Sequence, residues 1–280
     1  MKKIVIIAIV FLLFFKSSFS QASSDKGYFS VTLGPAFPIG DFAGKNVKST
    51  AGFPRITASA ARIGKFLQFS YSRLLGKRFG FSASMRGQIN PLNVKALQTS
   101  FSKTIVFGGV LTAPTPMPPL TPLFSYTTYP NWKFEKKSWL FSSLLVGGYG
   151  EFPAKKSGKT VFTVKPMIGA VYVTSPELRG RRGTDTASAY MIQTSSKAWG
   201  FTYSLAGGIK YNIYSRLSLL ASVEYIGTSR IKFKDVIMTV TATKGTPGLQ
   251  DYMVQQSVYT GTAQQKISSL NLNIGIGLSL

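Results

Sequence analysis

The chain has 280 residues, 44% hydrophobic content and 33 basic against 9 acidic side chains, a net charge of +24. That is ample apolar material for one or two cored domains. The absence of both cysteine and histidine excludes disulfides, thiolate and imidazole metal ligands, and every catalytic scheme that needs either residue.

The N-terminus reads MKKIVIIAIVFLLFFKSSFSQASS: Lys2 and Lys3, an apolar run from Ile4 to Phe15, then small polar residues. This is the three-part pattern of a secretory signal peptide, and the run falls short of the ~20 residues that a membrane helix needs. Residues 1–20 are expected to be removed, with the cut after Ser20 or Ala22. Loss of Lys2, Lys3 and Lys16 lowers the net charge of +24 by three, to +21. A basic excess of this size ordinarily points to nucleic acid. An exported chain meets lipid phosphates and lipopolysaccharide instead, so no nucleic acid is expected among its partners.

Beyond the leader the pattern predicts strands at about 27–38, 61–75, 78–89, 137–152, 159–173, 197–212, 215–228 and 265–280. No amphipathic helix exceeds a turn or two, and no second apolar run approaches a membrane helix. The connections alternate in length. Those around Gly76, Lys155 and Tyr214 are short, and those at about 39–60, 90–136, 174–196 and 229–264 are long. Short and long connectors therefore lie at opposite ends of one antiparallel sheet, and an even strand number returns both termini to the short-turn end.

The sixth strand places Trp199, Phe201, Tyr203, Leu205, Ile209 and Tyr211 on one face, and Gly200, Thr202, Ser204, Ala206, Gly208 and Lys210 on the other. The seventh sets Leu217, Leu219, Ala221, Val223 and Tyr225 opposite Ser218, Leu220, Ser222, Glu224 and Ile226. The closing SLNLNIGIGLSL sets Leu270, Leu272, Ile274, Ile276, Leu278 and Leu280 against small polar residues. A soluble barrel would turn its smaller face to water and charge it. Here Lys210 and Glu224 are the only charges across 199–211, 217–227 and 267–280. A face of Gly, Ser, Thr and Asn suits a narrow eight-stranded lumen, and the bulky face then belongs to lipid. In a closed barrel the last strand pairs with the first, so the chain is expected to finish in mid-strand. Trp139, Trp199 and Phe201 towards the long loops, and Tyr149, Tyr211 and Tyr214 towards the turns, are expected to form interfacial girdles.

The stretch GYFSVTLGPAFPIGDFA at 27–43, the alternating strands after it and the closing LNLNIGIGLSL resemble the small outer-membrane β-barrel proteins of Bacteroidetes, which share the OmpA/OmpX type of architecture. The resemblance implies an all-β fold: an eight-stranded antiparallel transmembrane β-barrel over 21–280, integral to the outer membrane, with periplasmic termini and extracellular loops. It also implies insertion by the barrel-assembly machinery. Leu280 stands where many such proteins end in an aromatic residue, so recognition is expected to use the whole last strand.

Enzymes of this size and architecture generally use a Ser or Asp assisted by His. With no His and no close carboxylate pair, neither an enzyme nor a cofactor is expected. By alternation Glu224, Arg86 and Lys165 point inward at comparable heights. They read either as an ion or proton pathway or as a buried charge network that fills the lumen, where an unpaired carboxylate is costly. Arg179, Arg181, Arg182, Arg230, Lys232 and Lys234 are expected at the outer rim against lipopolysaccharide phosphates, for which the arginine fork is suited. Lys77, Arg78, Lys155, Lys156, Lys159 and Arg216 are expected at the inner rim. PTPMPPLTP at 114–122 favours polyproline II, as a spacer or a docking segment. Asp185-Thr186-Ala187 resembles a short O-glycosylation site, with Thr186 as acceptor. The function expected is non-enzymatic structural or interaction work through the loops, alone or as an accessory subunit of a larger outer-membrane complex. The alternative is a narrow channel for small solutes.

Overall fold

The computed structural model describes residues 27–44, 49–50, 53–54, 60–102, 132–154, 159–184, 187–244 and 253–280. The leader, the proline run at 114–122 and Thr186 lie outside the described residues. In chain order the strands are β1 (Gly27–Pro38), β2 (Ser49–Thr50), β3 (Phe53–Pro54), β4 (Gly64–Leu74), β5 (Phe79–Pro91), β6 (Lys133–Phe134), β7 (Ser138–Pro153), β8 (Thr160–Thr174), β9 (Leu178–Thr184), β10 (Ala187–Gln193), β11 (Lys197–Asn212), β12 (Leu217–Thr228), β13 (Ile231–Lys244), β14 (Met253–Gln265) and β15 (Ser268–Ser279).

A closed antiparallel barrel is formed in the order β1-β15-β12-β11-β8-β7-β5-β4. Closure is made by β15 against β1, from Tyr28 opposite Ser279 to Pro38 opposite Ser269. The eight strands expected from the sequence are the eight of the barrel, and the face assignment holds as well. Leu33, Val146, Leu205 and Ile274 are exposed by 56% or more on the outer face, whereas Ser70, Ser82, Ser204, Asn271 and Asn273 are buried on the inner one. Bulky side chains outside and small polar ones inside follow from the two-residue period of a strand on a narrow cylinder.

The barrel does not end level. At one rim the chain breaks over 135–137, 175–177, 194–196, 229–230 and 266–267, and beyond each break a strand resumes. The resumed strands form a second sheet in the order β14-β13-β10-β9-β6. This order repeats that of β15-β12-β11-β8-β7 below it, so the second sheet is a wall raised on five neighbouring barrel strands. Hydroxyl groups secure the breaks. The Ser175 hydroxyl donates to the Ser196 carbonyl at 3.1 Å, and the Ser196 hydroxyl donates to the Lys234 carbonyl at 2.9 Å. Asp235, at φ +54°, sits in the irregularity between Phe233 and Val236 that turns β13.

The inner side of the wall buries Leu178, Met191, Ile231 and Phe233 against Trp139, Phe141, Val171 and Val173 from the barrel mouth. Phe42, Ala60, Leu92 and Leu97 close this core from the opposite rim. Leu97 belongs to a helix, Val94–Ser102, whose N-terminus is capped by Asn93: its side-chain oxygen accepts from the Ala96 N–H at 3.2 Å.

Three expectations are corrected here. The segments 174–196 and 229–264 are largely strand, because Ile231 and Phe233 alternate with Lys232 and Lys234 over a buried face rather than in a solvated loop. A helix of more than two turns stands in 90–136. Trp139 and Tyr149 do not belong to girdles, being 7% and 3% exposed and turned inward, whereas Trp199, Phe201, Tyr211 and Tyr214 are exposed on the outer surface.

Phe233 meets Trp139 edge-on at 5.9 Å between ring centroids. Replacing Phe233 with Ala should cost about 3–5 kcal/mol, and the loss should fall on the docking of the wall. The expected outcome is a barrel that keeps its folded mobility on an unheated gel while the β13–β14 hairpin becomes sensitive to protease.

Candidate functional site

Two regions bring functional side chains together: the lumen and the wall above it. In the middle of the lumen β5 supplies Arg86 and β12, across the barrel, supplies Glu224. Arg86 Nη1 donates to Glu224 Oε2 at 2.6 Å, and both side chains are 1% exposed. The carboxylate also accepts from Asn273 Nδ2 at 3.3 Å. With its amide oxygen turned to the guanidinium, Asn271 accepts from Arg86 Nη2 at 2.6 Å. The guanidinium lies 4.1 Å over the Phe66 ring, which adds a cation–π contact in a dry setting. The inward carboxylate expected from the sequence therefore has its partner in Arg86.

Lys165 has a different one. It is turned inward on β8, but among the described residues it joins neither buried ion pair, and its ammonium stands 5.1 Å over the Tyr149 ring. Nearer the short-turn end, Lys210 pairs with Glu151, which also accepts from the Tyr149 hydroxyl. Lys210 lies 4.8 Å over the ring of Tyr28. Glu224 is thus not the only inward acid. Glu151 shares the parity of Tyr149, and placing Tyr149 inward would have revealed it.

These groups fill the lumen in layers. Tyr28 lies over Gly277, where an added Cβ would stand 2.0 Å from its hydroxyl. Gly277 therefore makes room for a ring, and Gly275 for the close approach of β1 at Val31 and Thr32, rather than for solvent. Leu145, Met167 and Ile226 form an apolar cluster deeper in the barrel. Between the Arg86 layer and the core of the mouth is a cavity of about 20 Å³ bounded by Arg86, Gln88, Phe141, Ser143, Thr202 and Ile226, room for about one water. Above it lies the core under the wall.

The basic residues of the wall fall into two groups rather than one rim. Arg179 and Arg181 are on the outer face of β9, and Arg181 is paired in register with Lys133 of β6. Arg182 stands in β9 opposite Ala189. Arg179 already holds an acid: its Nε donates to Glu177 Oε1 at 3.0 Å, and this hydrogen bond raises the guanidinium pKa above its ordinary value. Arg230, Lys232 and Lys234 are exposed at the foot of β13, near Lys266. The spacing of Arg230, Lys232 and Lys234 marks one side of a strand. Lys133 and Lys266 could not be placed beside the others without the register.

The chain matches no protein-family model and no curated protein sequence. It is similar in fold to a major outer membrane protein from Thermus thermophilus, at 11% identity and a TM-score of 0.41, covering 91% of this chain and 99% of that one. Ail, the attachment invasion locus protein of Yersinia pestis, is similar at 11% identity and a TM-score of 0.35 over 91% of this chain and 99% of its own. Neisserial surface protein A is similar at 11% identity and a TM-score of 0.33 over 90% of this chain and 96% of its own. At TM-scores below 0.5 these likenesses decide nothing about this chain, and its reading rests on its own surfaces.

Removal of one partner of a buried ion pair costs roughly 3–5 kcal/mol because the other charge is left unpaired. Glu224→Ala should lower the stability of the barrel refolded in lipid vesicles by that amount, with a smaller further loss when Arg86→Met is added. Lys165→Met in the Glu224→Ala background should show a weaker coupling than Arg86→Met, since Lys165 feels the Glu224 charge without forming an ion pair with it. Urea titration of the two double-mutant cycles reads both results.

Proposed function

We propose that this chain is an exported, integral outer-membrane barrel that does not conduct, and that it works as a structural or interaction protein through the wall it holds outside the cell. The observation that carries the proposal is the belt of large apolar side chains around the whole barrel. Phe29 and Leu33 on β1, Phe69 on β4, Met85 on β5, Leu144 on β7, Ile168 on β8, Leu205 on β11, Val223 on β12 and Ile274 on β15 are all exposed. A continuous apolar girdle over every strand cannot be left in water, and a closed barrel leaves no unpaired backbone edge within hydrocarbon. The wall and the long connections occupy one end, and that end is read as extracellular, with both termini in the periplasm.

The layered lumen supports closure. Eight strands enclose little more than their own side chains, and here two ion pairs, Tyr28 and the core under the wall occupy that space. The working surface is then the outer face and edge of the wall, either alone or as an accessory part of a larger outer-membrane complex. Absence of His and Cys supports a non-enzymatic role. Arg181, Lys232 and Lys234 are exposed and would meet lipopolysaccharide phosphates, Arg179 being engaged by Glu177. Export and insertion would use the signal peptide and the barrel-assembly machinery.

Reconstituted into a planar bilayer, the monomeric barrel should give no stable open levels. Reproducible conductance steps would replace this reading with the narrow channel. On intact cells an epitope inserted after Thr184 should be accessible to antibody and one inserted after Lys156 should not. The reverse pattern would invert the orientation.

A further inference from the structure

Among the described residues the wall has an uncovered edge. Within the barrel, β15 is covered by β12 on one side and by β1 on the other. Above the rim β14 continues beside β13, whereas β1 stops at Pro38. Among the described residues no strand covers the far side of β14. The rim fixes which peptide groups face that side. The Ser268 carbonyl accepts from the Ile39 N–H at 3.0 Å, towards β1, and the Ile267 carbonyl accepts from the Thr228 N–H at 2.9 Å, towards β12.

Successive residues of a strand turn their peptide groups to opposite sides. The buried and exposed side chains of Ile267, Lys266, Gln265 and Gln264 keep that alternation through the rim. Val254, Gln256, Val258, Thr260, Thr262 and Gln264 therefore present both N–H and C=O to the open side, in a row that the irregularity of β13 does not interrupt.

Sheet edges are normally protected by charge, proline or a bulge. β14 reads MVQQSVYTGTAQQ and has no charged residue and no proline. At its foot stand the exposed cations Arg230, Lys232, Lys234 and Lys266, with Asp235 as the one acid in that group. A second copy is a poor occupant. Two barrels in one membrane share an up-down direction, so an axis along the membrane normal would bring the two β14 edges together parallel, with their sheet faces reversed.

We infer that the open edge of β14 is a strand-addition site for an extended acidic segment of a partner protein. Backbone hydrogen bonds to Val258, Thr260, Thr262 and Gln264 would hold the added strand, and the basic foot would set its end by charge. The inference takes the wall as a surface structure, but binding in micelles does not depend on orientation. Failure of the epitope at Thr184 to label cells would overturn the location and leave the edge intact.

The test uses the full-length barrel in detergent micelles and a capped, fluorescent peptide of alternating glutamate and valine. The peptide should bind by anisotropy, and methylating successive backbone amides, so that neither edge keeps its donors, should weaken it by about tenfold or more. The double variant Thr260→Pro/Thr262→Pro should lose binding to a similar extent while keeping the folded mobility of the barrel on an unheated gel. Equal binding of methylated and unmethylated peptides would reduce the contact to charge alone and overturn the inference, whether or not the proline variant folds. Retention of binding by a folded proline variant would do the same. Because the chain has no native cysteine, Thr262→Cys reads the remaining occupant directly: disulfide-linked pairs of barrels in native membranes would assign the edge to a second copy and overturn the inference.

Discussion

The structure depends on the closure of β15 onto β1. A strand pairing leaves backbone donors and acceptors along both sides of a sheet, and in hydrocarbon each one left over costs several kcal/mol. The register from Tyr28–Ser279 to Pro38–Ser269 removes that cost for the two terminal strands together. Once the cylinder is shut, its small radius dictates the rest of the barrel: glycine, serine and asparagine inside, and leucine, isoleucine and phenylalanine outside. Charges in the lumen need partners at close range: Arg86 and Lys210 find them in Glu224 and Glu151, and Lys165 stands over the Tyr149 ring.

The interior is divided by chemistry along its length. Below the mouth the lumen is polar and ionic apart from the cluster of Leu145, Met167 and Ile226, while the mouth is an apolar core shared by the barrel and the wall. An ordinary barrel of this size would end in loops at the rim. Here five strands run on past their breaks, and the serines and threonines at those breaks supply the hydrogen bonds that the interrupted ladder loses. The wall thus gains a packed inner face from the barrel beneath it, and among the described residues its outer face and one edge are left uncovered.

Much of the barrel was legible in the sequence because a two-residue period survives wherever one face meets lipid and the other a crowded lumen. Every barrel strand, the sidedness of Trp199 to Tyr211 and the inward direction of Glu224, Arg86 and Lys165 came from that period alone. Choosing between Arg86 and Lys165 as the partner of Glu224 required the positions of the strands around the cylinder, which alternation does not encode. The wall was hidden for another reason. Its outer face is populated by Arg179, Arg181, Lys232 and Lys234, which make a strand look like a loop, and its inner face is apolar only over short stretches. Trp139 and Tyr149 misled because aromatic residues near strand ends suit both an interface and a barrel mouth.

The ion pair at mid-lumen joins residues 138 positions apart in the chain. Neither can meet the other until the strands between β5 and β12, and those that complete the circle, have taken their places. A slip of β12 by one residue would turn Glu224 out into the acyl chains, and a slip by two would carry it some 6–7 Å from the guanidinium. Arg86 and Glu224 therefore act as a vernier on the cylinder, making an insertion event that ends in the wrong register the less stable outcome.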